Sequence, residues 1–499
     1  MKSTTTIGNR MKRISAFLFA LLLAVLSMGE QAAAMDLPYT TYNYNYREDV
    51  VYTPAAYVPD GSISGTQLSW NGETIGAFSN PQDLCKSPSG DIYLADTGNN
   101  RIVVLDQKMS AVKNVITGFE HDGKEDTFNA PYGVAVSEKN QIYIADSQNK
   151  RIVVLNEDGT FAKIVENPQS EVLADDFVFT PLKVSVDYAD RIYCIAQKMF
   201  EGIMVFESDG EFTGFFGTIN VEITLWEKFW KKIATKEERS KQQLYIPTEF
   251  TGIDIDPEGF VYASNIDSAG EQGVRRLNPK GQDVIKKGVS QNLGGDLWIE
   301  GTTEYSGPSQ FTDVVYRESG IYSCLDKKRG RIFTYDHEGN LLYIFGGLGT
   351  QTGTFSMPVA IEDIGGDIVV LDAARAEICS FKVTEYGRLI NQAVALRFDG
   401  DEAQAVELWR RVLELDENNE LANTGIGKAY LTAGDYKLAM KYLKLGMSRD
   451  YYSVAYKRYR NNVLTSNANL ILTGILVIVV ILIVRNQYQK RKKGGAVDA

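Results

Sequence analysis

Two short apolar runs, residues 92–95 and 102–105, flank the polar hexapeptide Asp-Thr-Gly-Asn-Asn-Arg at 96–101. Apolar runs of this length around a short polar connection predict two antiparallel strands joined by a tight turn. Residues 141–155 repeat the layout almost letter for letter, with Asp146 and Arg151 each 50 positions after Asp96 and Arg101. Four less faithful copies follow. Their first strands sit at 180–184, 246–253, 310–314 and 357–361, and their second strands at 192–196, 260–263, 321–326 and 367–372. Strand-bearing units at a period of roughly 20–50 residues indicate a propeller or solenoid, because one such unit cannot bury both of its faces alone.

The pattern of a Pro-led first strand, Gly-x-Ile-Tyr-x-Ala-Asp, then Asn-x-Arg-Ile and a third strand resembles the NHL repeat. The resemblance is closest in units one and two and faintest in three and four, where Gln197 and the pair Ser264-Asn265 stand at the Asp position. It implies an all-β, six-bladed NHL-type propeller over residues 51–390, after an irregular Tyr-rich lead-in at 35–50. A segment before the first unit, around residues 50–62, is expected to add an outer strand to the last blade, since closing the ring removes exposed edges. The sets Asp96/Asn99/Arg101 and Asp146/Asn149/Arg151, with Asp326, Arg331 and Asp372 in later units, can be read as chemistry or as architecture. The structural reading is preferred: a carboxylate that accepts turn N–H groups and pairs with the nearby Arg is needed once per blade.

An insertion at 222–245 places Trp226, Phe229, Trp230 and Ile233 at helical spacing among lysines, an amphipathic helix. Its aromatic face either packs on the propeller rim or docks on a membrane or partner. From about residue 391 to 461 the spacing turns helical, with a 34-residue offset that matches Gly400 with Gly434 and Ala405 with Ala439. Trp409 matches Leu443 in the same way, and Gly427 and Tyr430 sit where a tetratricopeptide (TPR) repeat places a small and an aromatic residue. A small α-helical TPR-like module is expected, serving as a partner groove or as a spacer. Two repeats are few, so it should lean on the propeller or on the helix after it.

Residues 1–34 carry Lys12 and Arg13, an apolar run and Ala32-Ala33-Ala34, the layout of a signal peptide, with Met1 or Met11 as the start. Residues 464–484 lack charge and reach the roughly 20 residues of a transmembrane helix, and the basic tail at 485–499 belongs in the cytoplasm. The expected product is a single-pass cell-membrane protein with its bulk extracytoplasmic.

A net charge of −12 argues against a nucleic-acid partner. The four cysteines, at 85, 194, 324 and 379, are too scattered for a disulfide framework or a zinc site and read as buried free thiols. Related propellers include a lyase relying on histidine-bound zinc, which His121 and His337 alone do not supply. No cofactor and no catalytic set is expected. The favoured function is non-catalytic binding or scaffolding of a protein partner, such as a membrane complex, or of carbohydrate. The alternative is a metal-dependent, lactonase-like hydrolase with an acidic site in the channel.

Overall fold

The computed structural model describes residues 37–173, 177–217, 249–267, 270, 272–288, 293–297, 303 and 305–494. Residues 1–34, where a signal peptide is expected, and the insertion with Trp226, Phe229, Trp230 and Ile233 lie outside them.

Each repeat becomes one antiparallel sheet. Blade one runs Asp83–Lys86, Ile92–Asp96, Arg101–Leu105, Val112–Ile116, and blades two and three repeat the same order from Pro131 and Pro181. Blade four has three strands among the described residues, from Phe250 to Leu277. Blades five and six begin at Phe311 and Pro358. The six first strands contact one another in a ring, which closes from the last blade to the first. The second strands, such as Ile92–Asp96, are buried along their whole length because blades stack on both faces. That explains why they read as continuous apolar runs rather than alternating ones. The core is a set of layers between blades; Tyr93, Ile102 and Val104 of blade one, for instance, pack on Val134, Ile144 and Val153 of blade two.

The closing strand is Tyr57–Ser64, paired with Glu377–Val383 of blade six from Tyr57↔Val383 to Ser64↔Glu377. The buried guanidinium of Arg317 fastens it. Arg317 binds Asp363 and the hydroxyls of Tyr57 and Tyr343, so blades five, six and the closing strand share one cation.

Three boundaries differ from the sequence reading. The Tyr-rich lead-in is not irregular: Tyr42–Tyr44 and Val50–Tyr52 form a hairpin that extends blade five, with Tyr42 opposite Ile344. Alternate tyrosines gave no apolar period, yet Tyr42 is buried because its hydroxyl finds Asp296. The helical part starts at Glu385, before residue 391, where Thr384 caps the helix by accepting from the Gly387 amide. The apolar helix starts at Ala468 rather than 464, because the preceding helix continues to Ser466.

Six helices follow the propeller: α1 (Glu385–Phe398), α2 (Glu402–Leu415), α3 (Glu420–Ala433), α4 (Tyr436–Leu445), α5 (Arg449–Ser466) and α6 (Ala468–Gly494). Gly400 and Gly434 end α1 and α3 with φ of +85° and +83°. Ala405 and Ala439, like Trp409 and Leu443, are buried at matching positions of α2 and α4. Gly427 lets α3 approach α4: a Cβ there would lie 2.6 Å from Leu443 Cγ. Tyr430 stacks on Tyr442 and accepts from Arg410 at 3.0 Å.

The helices do lean on their neighbours. Tyr386, Leu389, Ile390 and Val394 of α1 share one core with Ala56, Tyr57, Phe345 and Phe381 of the propeller, and Ala455 of α5 packs with Leu431, Ala439 and Leu443. One helix among the described residues, Ala468–Lys490 with mean hydropathy 2.6, is long and apolar enough to cross a membrane.

The propeller channel as candidate functional site

The first strand of each blade has one edge without a strand neighbour, and its N–H groups need other partners. Carboxylates of adjoining blades provide them. Asp83 accepts from Val134 at 3.0 Å, Asp254 from Tyr316 at 2.7 Å, Asp313 from Ile361 at 3.0 Å and Glu362 from Lys86 at 3.0 Å. Five of the six first strands carry a register shift just after their entry, as between Pro131 and Gly133. The residue after the shift is Gly133, Lys183, Gly252, Asp313 or Ala360 in turn, and Asp83 holds the equivalent place in blade one.

Charged side chains thus alternate with small ones around the ring. Lys183 Nζ lies 2.5 Å from Asp83 Oδ1 and 3.5 Å from Asp313 Oδ2. Blades one, three and five are not neighbours, so these side chains meet at the axis and brace it. The small residues make room: a Cβ on Gly252 would sit 2.4 Å from Asp313 Oδ1, and one on Gly133 2.3 Å from the Leu182 carbonyl. Burial pushes Asp313 up to about 7 against the pull of Lys183, whose one charge serves Asp83 more closely. Burial alone would lower Lys183, but Asp313 and Asp83 hold it above the ordinary lysine range.

Two residues further along each strand the positions read Cys85, Ala135, Ser185, Asp254, Val315 and Glu362. Burial raises Asp254 to about 6, and burial with the nearby Asp254 charge raises Glu362 to about 8. The pair therefore keeps a proton near neutrality, a state suited to general acid–base work or to simple structural hydrogen bonding. Among the described residues, no three His, Cys, Asp or Glu side chains gather as a metal would require.

The hairpin residues singled out by sequence lie at the strand-two to strand-three turns. Asp96, fully buried, accepts from the Ser79 amide at 2.7 Å, from Asn99 at 2.8 Å and from Arg101 Nε at 2.7 Å. Asp146 does the same with Asn129, Asn149 and Arg151, at 2.7, 2.9 and 2.9 Å. Asp372 accepts from the amides of Ser356, Met357, Ala374 and Arg375.

Blade five departs from the expected pairing. Asp326 keeps its backbone partners, the Gln310 amide at 2.8 Å and the Lys328 amide at 2.9 Å. Arg331, although opposite Asp326 in the ladder, turns instead to Asp296 and Tyr42. The lead-in hairpin and the loop before blade five bring a competing carboxylate and phenol to that spot.

Two further features had no sequence signal. Glu338, in a blade-five turn, accepts from Lys428 Nζ of α3 at 2.7 Å and from Arg397 of α1. Burial would raise it, but those two cations hold it at about 2. Between the lead-in hairpin and α3 lies a cavity of about 120 Å³, walled by Asn43, Tyr44, Asn45, Asn340, Asn418 and Glu420 among others. Neither is local in sequence, since each joins residues tens to hundreds of positions apart.

Residues 78–105 and 128–155 match the NHL repeat family. No curated protein matches the chain significantly. Similar solved structures include a streptogramin B lyase, at 13% identity, covering 70% of this chain and 96% of that one, TM-score 0.38. Virginiamycin B lyase from Staphylococcus aureus is similar at 11% identity, covering 70% of this chain and 97% of that one, TM-score 0.39. Kuenenia stuttgartiensis hydrazine synthase is similar at 10% identity, covering 67% of this chain and 85% of that one, TM-score 0.40. Likenesses this slight bear on no activity.

Proposed function

From a chain that carries NHL repeats within a six-bladed propeller, we propose a membrane-tethered binding and scaffold protein. The observation that carries this reading is the brace at the axis: Lys183 between Asp83 and Asp313 occupies the place where a propeller would hold a substrate. Recognition then falls to the outer surfaces. The TPR-like helices are joined to the blade-five turn through Glu338, so propeller and helices offer one continuous surface to a protein partner. The cavity beside α3, with its amide and tyrosine walls, suits hydrogen bonding to a peptide or to sugar hydroxyls. A signal peptide at 1–34 and the apolar helix α6 together favour an extracytoplasmic bulk and a cytoplasmic basic tail.

A hydrolase is the second reading, favoured by Asp254 and Glu362, which titrate near neutrality in the channel. The experiment is affinity capture of the full chain from detergent-solubilised membranes, alongside lactone hydrolysis and metal analysis of the same preparation. Stoichiometric recovery of a membrane partner without turnover is expected. Turnover with one tightly held divalent ion, and no partner, would overturn the scaffold reading.

A further inference from the structure

Helix α5 leaves the helical module halfway along its length. Tyr452 and Ala455 pack with Leu431, Ala439 and Leu443, but residues 456–466 are exposed throughout. Tyr452, Tyr456, Tyr459 and Val463 follow one another at four, three and four residues, a single stripe on a helix. Beyond the module this stripe has no cover: Tyr456, Tyr459 and Val463 are 49%, 36% and 41% exposed, and Leu464 beside it 50%. Arg460 flanks the stripe, Lys457 and Arg458 lie farther round the helix on either side of it, and residues 451–494 contain no Asp or Glu.

One residue, Asn467, separates α5 from the apolar helix α6. Its φ and ψ of −108° and 12° break the helix, and its side-chain amide donates to the Val463 carbonyl at 2.8 Å. If hydrocarbon begins near Ala468, the polar layer above it is only about 5–8 Å deep. The exposed part of α5 is about 16 Å long, so standing upright it would lift Tyr456 clear of that layer.

We infer that α5 bends at Asn467 and lies along the membrane surface, with the Tyr456–Tyr459–Val463 stripe among the lipids and its basic residues on anionic headgroups. The inference rests on the tether reading and deepens it, since it holds the helical module against the bilayer. Tyrosine suits this boundary, having an apolar ring and a polar tip, and lysine and arginine can bury their stems while reaching phosphate. A protein neighbour is the competing occupant; an acid-free segment continuous with an apolar helix favours the anionic lipid surface.

The test uses the full chain in vesicles of phosphatidylcholine with phosphatidylglycerol, carrying a fluorophore on one introduced cysteine; the wild-type chain gives the labelling blank. The sites are Y456C, Y459C and V463C on the stripe, R458C and N461C opposite, and V477C in α6. Spin-labelled lipids should quench the stripe sites several-fold more than the opposite sites. The difference between vesicles with and without phosphatidylglycerol should vanish in K457Q/R458Q/R460Q. Quenching that simply declines from 463 to 456 whatever the face means an upright α5 and overturns the inference, as does an unquenched stripe with V477C quenched. An unquenched V477C removes the tether reading as well.

Discussion

The hairpins and the hub of the propeller use charge in opposite ways. At the hairpins of blades one and two the same three side chains recur with the same bonds, Asp96 with Asn99 and Arg101, Asp146 with Asn149 and Arg151. At the hub each blade contributes something different, and the pattern has meaning only when blades one, three and five are taken together. Repetition marks what fixes a hairpin, whereas individuality marks what the whole ring does. Here that individuality resolves into a brace, which under the proposed scaffold reading leaves recognition to the outside.

The largest effect should come from Lys183→Met. It strands two buried carboxyls, and breaking a buried ion pair from one side costs about 3–5 kcal/mol. Urea unfolding should show that loss, and acid should lessen it, since Asp83 and Asp313 can then protonate. Asp96→Ala should cost a similar or slightly smaller amount, about 3 kcal/mol, because Arg101 keeps the Ile75 carbonyl as a partner at 2.8 Å. Asp326→Ala should cost less than Asp96→Ala, since Arg331 does not depend on it and Arg329, 3.7 Å from Asp326, keeps the Tyr305 and Gly307 carbonyls; equal losses would contradict the blade-five rearrangement.

Arg331→Ala should cost about 2–3 kcal/mol and loosen the lead-in hairpin, giving faster proteolysis between residues 45 and 50. Glu362→Gln tests the second channel level. Raised carboxyl values near 6 and 8 mean that the folded state binds more protons than the unfolded one above about pH 4, so their contribution to stability falls as pH rises toward 8. The variant should flatten that fall in thermal melts taken from pH 5 to 8.

Glu338→Gln is the smallest, about 1–2 kcal/mol. With a folded value near 2, the carboxylate contributes in full above its unfolded value of about 4.5 and loses that contribution as pH drops toward 2. The acid limb of the melting curve should therefore be shallower in the variant.

Much of this was legible in the sequence. Period, turn residues and the Pro-led strands located all six blades, even unit three, where Gln197 replaces the Asp and the strand Ile192–Ala196 still forms. Gly400 and Gly434 marked helix ends because a left-handed residue there favours glycine. The hub was not legible, although Asp83, Lys183 and Asp313 stand in plain view in the first strands. Their meeting depends on which blades face each other across the axis, and no local pattern encodes that. The redirected Arg331 was hidden for the same reason: its register matches Arg101, and only the distant Tyr42 and Asp296 change its partner. The lead-in strand escaped because tyrosine is buried or exposed according to what its hydroxyl reaches.

The most direct measurement is partner capture by the triple variant D83N/K183M/D313N. It removes the hub charges while keeping their size, and a buried ion pair replaced as a unit is often neutral for stability. If the hub is only a brace, the variant folds and recovers the membrane partner at the wild-type yield. A folded variant that captures nothing would place recognition in the channel and contradict the account.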